Sequence, residues 1–309
     1  MSSRTISDMS SVALKRDDTH LQVSDLSTVS RDSGSDNAPI SSFLRGKSRC
    51  QAPWLADGLV LDFSLSDPTD GWLSDKPVSL HNGLRCELKA MTRALHGMYL
   101  LQENTTDVQL KNFFKWLKDL ALVFHTHLEA EDSILFPLVK KRLAENQIAR
   151  ETLPTEEQQV RVSLRLNKLT GLALEFGKAK VSKVKLINEM RKRAAEFIPL
   201  ALENMLQKER NEYIMAETYM SPDRDGKRLQ KQMVMHWTKT LGVYKCCTTG
   251  LAICQNWMDA EERENLEQIT KEKIRYQVLY TARMKSSDRK RRDLIRELLN
   301  VSAQAKYEV

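Results

Sequence analysis

Apolar residues recur at intervals of three and four in four long segments between residues 79 and 220, which predicts four amphipathic helices. The predicted helices cover residues 79–102, 107–142, 155–176 and 181–220. Pro199 lies inside the fourth segment, where a proline should kink or interrupt the helix. Four such helices with short connections predict an all-α fold, an up-down four-helix bundle.

The second and fourth predicted helices each carry an apolar stripe that also contains polar residues. In the second helix the stripe runs through Leu117, Leu120, Phe124, His127, Glu131, Ile134 and Leu138. In the fourth helix it runs through Ala194, Phe197, Ala201, Asn204, Lys208, Asn211 and Met215. Because each stripe keeps helical phase, we expect its polar members to face the core together with its apolar members.

The chain on either side of the predicted bundle, residues 79–220, has a different composition. Residues 1–45 are rich in Ser, Thr and Asp and cannot bury enough apolar surface to offset their ordering entropy, so we expect a disordered arm. Residues 46–78 carry large apolar side chains among Pro, Gly and Asp, which predicts an irregular segment packed on the bundle. Residues 221–309 predict a C-terminal helical extension. Its helices are expected at about 227–256, 259–284 and 289–305.

The composition supports helices and excludes several other classes of protein. Glycine (11) and proline (8) are scarce in 309 residues, and charged residues reach 29%, which favours helix over sheet. No run of about 18 apolar residues is present, so we expect no membrane span. Five cysteines without a C-x-x-C pair indicate reduced thiols rather than a disulfide framework or a zinc finger. Without a secretory signal, the chain is expected to be cytoplasmic, or else nuclear.

The net charge of +7 is concentrated in two basic clusters, at residues 161–193 and 289–292. Such clusters can contact an acidic partner or nucleic acid. They lack the interleaved aromatic residues that stack on bases, so we favour solvated helix faces and do not expect nucleic-acid binding. A protein partner is left open, and no oligomeric state is predicted.

The residues with the most informative chemistry are His127 and Glu131, four apart on the second stripe. At that spacing they lie one helical turn apart, about 6 Å along the axis, so both side chains can reach one cation. His125 and Glu129 are also four apart but lie off the stripe, where we expect them at a helix edge or in solvent. An ionised glutamate in an apolar core is costly unless it is paired or binds a metal. Pairing of Glu131 with Lys208 is therefore the alternative to metal binding.

His81 near the start of the first helix, and His127-x-x-x-Glu131 followed by Asp132 and Leu-Phe-Pro137, resemble the hemerythrin-like (HHE) family. The resemblance covers about residues 79–220. It implies two helix pairs that face each other, each with one histidine on its first helix and a His-x-x-x-Glu on its second. Together these residues hold a non-haem di-iron centre in that family.

The second helix pair departs from the family pattern at three positions. Comparison of helical phase places Gln159 where the second first-helix histidine is expected, and Asn204 and Lys208 where His and Glu are expected. A lysine ammonium repels a dication, so we do not expect a di-iron oxygen carrier. The remaining set of His81, His127 and Glu131 has two histidines and one carboxylate, which suits a single ferrous ion.

The sequence thus supports three hypotheses of different classes. The leading one is a hemerythrin-like protein that binds or senses iron at a reduced, mononuclear or vestigial site formed by His81, His127 and Glu131, with enzymatic activity left open but not expected. The second is a metal-free bundle, locked by Lys208 and Glu131, that serves as a structural or protein-interaction module. The third, an oxygen-using iron enzyme, fits the ligand set but has no recognisable substrate pocket in the sequence.

Overall fold

The computed structural model describes residues 49–52, 54–66, 75–146, 156–177 and 182–258, with Arg289, Asp293, Arg296 and Glu297. The predicted disordered arm and the predicted helix over 259–284 lie outside these residues, as does most of the predicted helix over 289–305. No helix in the described ranges is long and apolar enough to cross a membrane.

The described chain is almost entirely helical, which confirms the predicted all-α class. It also contains two short strands that the sequence did not predict. The strands β1 (Arg49–Gln51) and β2 (Val60–Asp62) pair antiparallel. The helices are α1 (Asp75–Leu101), α2 (Asp107–Ala130), α3 (Phe136–Glu145), α4 (Glu156–Phe176), α5 (Lys183–Gln207), α6 (Tyr213–Tyr219), α7 (Lys227–Lys245) and α8 (Leu251–Gln255). Four π-helical turns connect or interrupt them, at Glu131–Leu135, Lys208–Glu212, Pro222–Gly226 and Cys246–Gly250.

The helix boundaries follow the sequence pattern closely at most ends. Helix α2 begins after Thr106, whose side chain accepts a hydrogen bond from the Gln109 backbone while the Gln109 side chain accepts one from the Thr106 backbone. This reciprocal pair satisfies two of the amides that an α-helix leaves free at its start. Helix α1 begins at Asp75, four residues before the predicted start at residue 79. The predicted interruption at Pro199 is wrong, because α5 continues through it with buried Phe197 and Ile198 beside it.

The four long helices pack through one main hydrophobic cluster. Helix α5 packs against α1 and α4, and α2 packs against α4. Their buried side chains include Leu88, Leu117, Leu166 and Met190, each at most 1% exposed. Burial of this amount of apolar surface is the main favourable contribution to folding.

The π-helical turns at Glu131 and Lys208 lie at equivalent places in two long helical runs, and each adds one residue to a turn. The buried face therefore shifts by one position after each turn. Beyond Glu131 the buried residues are Leu135, Phe136, Val139 and Leu143, whereas the predicted Ile134 and Leu138 are only half-buried. Beyond Lys208 the predicted Asn211 is exposed, and Glu212 and Tyr213 are buried instead.

The described part of residues 46–78, the segment predicted to be irregular, contains the short two-stranded sheet. The register pairs Cys50 with Leu61. Leu61 and Phe63 are buried in the main cluster, 1% and 3% exposed, so the segment does pack on the helices. Its described end is attached to α1, because the Ser66 backbone donates to Asn82 Oδ1 at 2.9 Å and Asn82 Nδ2 donates to the Ser66 carbonyl at 2.8 Å.

Residues 221–258, the part of the C-terminal extension that the structure describes continuously, pack on the same helices. Helix α7 contacts α2, and α8 contacts α1. The Arg142 guanidinium at the end of α3 donates to the buried Asp225 carboxylate before α7, at 2.5 and 3.2 Å. The hydrogen bonds from Arg142 and from the Ser221 backbone outweigh the opposing effect of burial and lower the pKa of Asp225.

Helices α1 and α8 approach each other closely at Gly83. A Cβ atom on Gly83 would collide with the backbone carbonyl of Ile253, which cannot move as a side chain could. The side-chain amide of Asn256 donates to the Gly83 carbonyl at 3.2 Å on the same side. Glycine at this position is therefore required by backbone proximity.

Replacing Gly83 by alanine should separate α1 from α8 and lower the free energy of unfolding by about 1 to 3 kcal/mol, the usual cost of overpacking. Gly171 in α4 is the matched control, because a Cβ atom there would meet no atom within 4 Å. Gly171→Ala should instead stabilise the protein by roughly 0.5 to 1 kcal/mol, since alanine is the better helix former. Urea denaturation of both variants measures the difference, and equal effects would contradict the close approach.

Candidate metal centre

The three predicted site residues lie together inside the helical core. His81 is on α1, and His127 and Glu131 are at the end of α2 and the start of its π-helical turn. They are 0%, 2% and 0% exposed. One nitrogen of each imidazole and one carboxylate oxygen lie within 4.8 Å of one another. The sequence pattern therefore identified a compact group of three potential metal ligands.

The two imidazoles contact each other directly. His81 Nε2 and His127 Nε2 are 2.8 Å apart, and the rings are edge-on with centroids 4.9 Å apart. His127 Nε2 is also 3.3 Å from Glu131 Oε1. Because a hydrogen bond between two ring nitrogens needs one proton, one imidazole donates and the other accepts.

A carboxylate fixes which imidazole accepts. His81 Nδ1 lies 2.7 Å from Glu209 Oε1, so Nδ1 carries the proton and donates to that carboxylate. His81 Nε2 then has a free electron pair and accepts from His127 Nε2. The same electron pair is the one that a metal ion would use, and a carboxylate on the opposite nitrogen is the usual second partner of a metal-binding histidine.

Glu209 is itself held firmly. Arg85 donates to both of its oxygens, at 2.8 and 2.7 Å, and the Ser66 hydroxyl donates to Glu209 Oε2. Arg85 also donates to Asn82 Oδ1 at 3.1 Å. Burial raises the pKa of Glu209, but the hydrogen bonds from His81 and Arg85 outweigh it and lower that pKa to about 2. Glu209 is therefore ionised and orients His81 at neutral pH.

Glu131 has two further partners, both donors. The Lys208 ammonium donates to Oε2, and the Tyr213 hydroxyl donates to Oε1 at 2.5 Å. Tyr213 Oη is also 3.4 Å from His81 Nε2. Lys208 and Tyr213 are both 0% exposed, so these contacts replace the water that an exposed carboxylate would have.

The charges at the centre balance without any added ion. Burial raises the pKa of Glu131, but the adjacent His127 and the Lys208 ammonium outweigh burial and lower this pKa to about 2. Burial lowers the pKa of His127 to about 3 and also lowers that of His81, so both imidazoles are neutral near pH 7. Burial and the adjacent Glu131 raise the pKa of Tyr213, which is a neutral donor.

The positions expected to lack ligands in the second half of the site are buried but poorly satisfied. Gln159 and Asn204 are 2% and 1% exposed, and within the described part of the chain neither side-chain amide has a hydrogen-bond partner. Glu212 is 5% exposed, and burial raises its pKa to about 8, so it is mostly protonated at neutral pH. These groups provide no second cluster of charged ligands beside Lys208.

The neighbouring pair on α2 is excluded from the centre, as predicted. Glu129 is exposed and His125 is half-buried, with its Nε2 3.0 Å from Asn167 Oδ1. His127 and Glu131 are thus the buried pair of α2, while His125 and Glu129 lie toward its edge and solvent, as the stripe predicts.

Sequence reasoning missed Tyr213, Glu209 and Arg85. Tyr213 follows Lys208 by five residues, which is one turn of a π-helix but not of an α-helix. No sequence signal marked that turn. Glu209 and Arg85 are 124 residues apart, and only the packing of α5 and its π-helical turn against α1 brings them together.

A cavity of about 460 Å³ reaches His127 from the side of α7 and α8. Its lining is mainly apolar and includes Leu80, Leu135, Met233 and Trp237. The centre is thus adjacent to an open space large enough for a small ion or molecule to approach one of its imidazoles.

The donor set fits one transition-metal ion better than two. Two imidazole nitrogens and one carboxylate oxygen form the combination that binds ferrous iron with open positions, and His81 already has its carboxylate partner. Lys208 holds the second oxygen of Glu131, so that oxygen cannot bridge to another metal. His81, His127 and Glu131 would bind the ion, Glu209 would orient His81 toward it, and the burial of these side chains would limit water around it.

No family model, no curated protein and no solved structure matches this chain. Its function is therefore inferred from the buried centre itself.

Proposed function

We propose that the protein binds or senses iron through a single non-haem ion held by His81, His127 and Glu131 in a hemerythrin-like, up-down four-helix bundle. The observation that carries this proposal is the arrangement around His81. Its Nδ1 donates to the ionised Glu209, and its Nε2 faces His127 Nε2 at 2.8 Å, in a group where one donor atom of each of the three residues lies within 4.8 Å of the others. A carboxylate that polarises one side of an imidazole makes the opposite nitrogen a better metal ligand.

Internal similarity between the two helix pairs supports the hemerythrin-like architecture. Glu131 and Lys208 each begin a π-helical turn and are 77 residues apart. The same spacing relates His127 to Asn204, and all four residues are buried. Two equivalent half-sites, one with ligands and one without, are the arrangement expected if one half of a two-metal site had been replaced.

A second candidate function is favoured by the Lys208–Glu131 ion pair. Lys208 donates directly to Glu131 in the core, so the carboxylate is neutralised without a metal. Under this alternative the bundle is a metal-free structural or interaction module, and the polar group specifies how its helices pair. A buried ion pair is weak evidence for stability but can fix the register of packed helices.

The metal proposal predicts different effects of two histidines that are two residues apart on α2. His127→Ala should abolish binding of one equivalent of ferrous iron, because it removes a ligand from the buried set. His125→Ala should leave binding nearly unchanged, since His125 lies on the other face of α2, where its Nε2 is 3.0 Å from Asn167 Oδ1. Anaerobic titration of metal-free protein with ferrous iron, followed by elemental analysis, measures both. Loss of iron in the His125 variant alone would contradict the assignment.

Lys208→Met separates the two candidate functions. It leaves Glu131 ionised and buried without its cation, so the metal-free variant should lose about 3 to 5 kcal/mol of stability. Ferrous iron should restore part of that loss, because an ion that binds only the folded state stabilises it, by about 2.7 kcal/mol at a hundredfold excess over Kd. Lys185→Met is the control, at an exposed position on α5, the helix that precedes the turn of Lys208.

Thermal melts of wild-type protein and both variants, with and without ferrous iron under anaerobic conditions, measure these changes in stability. A Lys208 variant that is destabilised and does not respond to iron, together with iron-free wild-type protein, would support the structural alternative.

A further inference from the structure

Four potential donor atoms, not three, surround one point of the buried centre. Going around it, His81 Nε2 to His127 Nε2 is 2.8 Å, His127 Nε2 to Glu131 Oε1 is 3.3 Å, Glu131 Oε1 to Tyr213 Oη is 2.5 Å, and Tyr213 Oη to His81 Nε2 is 3.4 Å. These contacts close into a ring. Each of the four side chains is at most 2% exposed.

The four distances between neighbouring donor atoms of this ring are close to those between the ligand atoms of a metal ion, although hydrogen bonds now join two of the pairs. With metal–ligand bonds of about 2.1 Å and angles of about 90 to 110°, neighbouring donor atoms are about 3.0 to 3.4 Å apart. Two edges of the ring, at 3.3 and 3.4 Å, already have that length. The two shorter edges, at 2.8 and 2.5 Å, are hydrogen bonds that must lengthen by less than about 1 Å when a metal replaces their protons.

The position of Tyr213 is fixed by its surroundings. Its ring stacks on the His81 imidazole with centroids 5.7 Å apart. It begins α6, directly after the π-helical turn that begins at Lys208. The equivalent position after the turn at Glu131 is Phe136, which has no donor atom. The hydroxyl is therefore an individual feature of the centre rather than part of its repeated architecture.

The charge balance gives Tyr213 a reason to bind. Glu131 alone offers one negative charge, and Lys208 already neutralises it. An iron ion beside Lys208 would then have no uncompensated anionic ligand, which is costly in a buried site. A phenolate supplies the missing negative charge as a hard oxygen ligand, and such a ligand favours ferric over ferrous iron.

We propose that Tyr213 is the fourth ligand of the iron centre and binds as a phenolate, so that the site preferentially holds ferric iron. This inference rests on the proposed iron-binding function. When ferric iron binds, the O–H bond of Tyr213 breaks, its proton leaves to solvent and an iron–oxygen bond forms. The Nε2–H bond of His127, which donates to His81, also breaks, and the ring takes a proton at Nδ1 instead, so a neutral imidazole binds iron through Nε2. Neither exchange changes an oxidation state. Lys208 remains on Glu131 Oε2 and keeps Oε1 directed at the other donors.

The test uses full-length protein loaded with one equivalent of ferric iron, supplied as its nitrilotriacetate complex, after removal of excess reagent. Wild-type protein should retain iron and show a visible phenolate-to-iron charge-transfer band. Tyr213→Phe should keep bound iron through His81, His127 and Glu131 but lose the band. Tyr219→Phe, on the same helix outside the centre, should keep both.

Resonance Raman scattering from the wild-type protein provides a second measurement that does not depend on a folded variant. Excitation in the band should enhance phenolate ring modes. Iron bound without the band, or a band that persists in Tyr213→Phe, overturns the assignment of Tyr213 and leaves the proposed function in place. Wild-type protein that binds neither ferric nor ferrous iron overturns both.

Discussion

A single buried carboxylate, Glu131, is the constraint on which the arrangement of the core depends. An ionised glutamate with no exposed surface costs several kcal/mol unless every lone pair has a donor. Lys208 donates to one of its oxygens and Tyr213 to the other, and His127 lies beside the second. Helix α2 and the helical run from α5 to α6 must therefore keep a fixed register, since a slip of one residue would leave the charge unpaired.

The π-helical turns explain how two helical runs deliver so many polar side chains to one point. In a regular α-helix, residues five apart point in different directions, whereas a π-helical turn brings them to one side. This geometry places Tyr213 over the centre together with Lys208, and Glu209 beside His81. Each turn spans only five residues, but it determines which side chains form the site. A straight helix would have aimed Asn211 at the core, and that residue is exposed.

The sequence predicts the fold as far as helical phase can be followed, and no further. It identifies α2, α4 and the three residues His81, His127 and Glu131 because an uninterrupted 3.6-residue period connects them to apolar neighbours. It fails beyond Glu131 and Lys208, where one extra residue per turn changes the buried face. It also cannot find Arg85 and Glu209, since their pairing depends on helix packing and on no spacing along the chain. The short strands were missed because each has only three residues.

The two candidate functions differ in what lies at Oε1 of Glu131, while both give Oε2 to Lys208. Under the proposed hemerythrin-like architecture, Lys208 at the position equivalent to Glu131 would put an ammonium where a second metal is expected. The Lys208 ammonium neutralises Glu131 in either case. That replacement alone would yield a purely structural core. Glu209, however, plays no part in neutralising Glu131: its carboxylate accepts from His81 and Arg85. It and Arg85 form a separate neutral pair whose contact with the centre is the orientation of His81. The Glu209–Arg85 pair orients His81 so that its Nε2 faces the three other potential ligand atoms. Packing alone does not require such a buried ion pair, whereas metal binding uses the orientation directly.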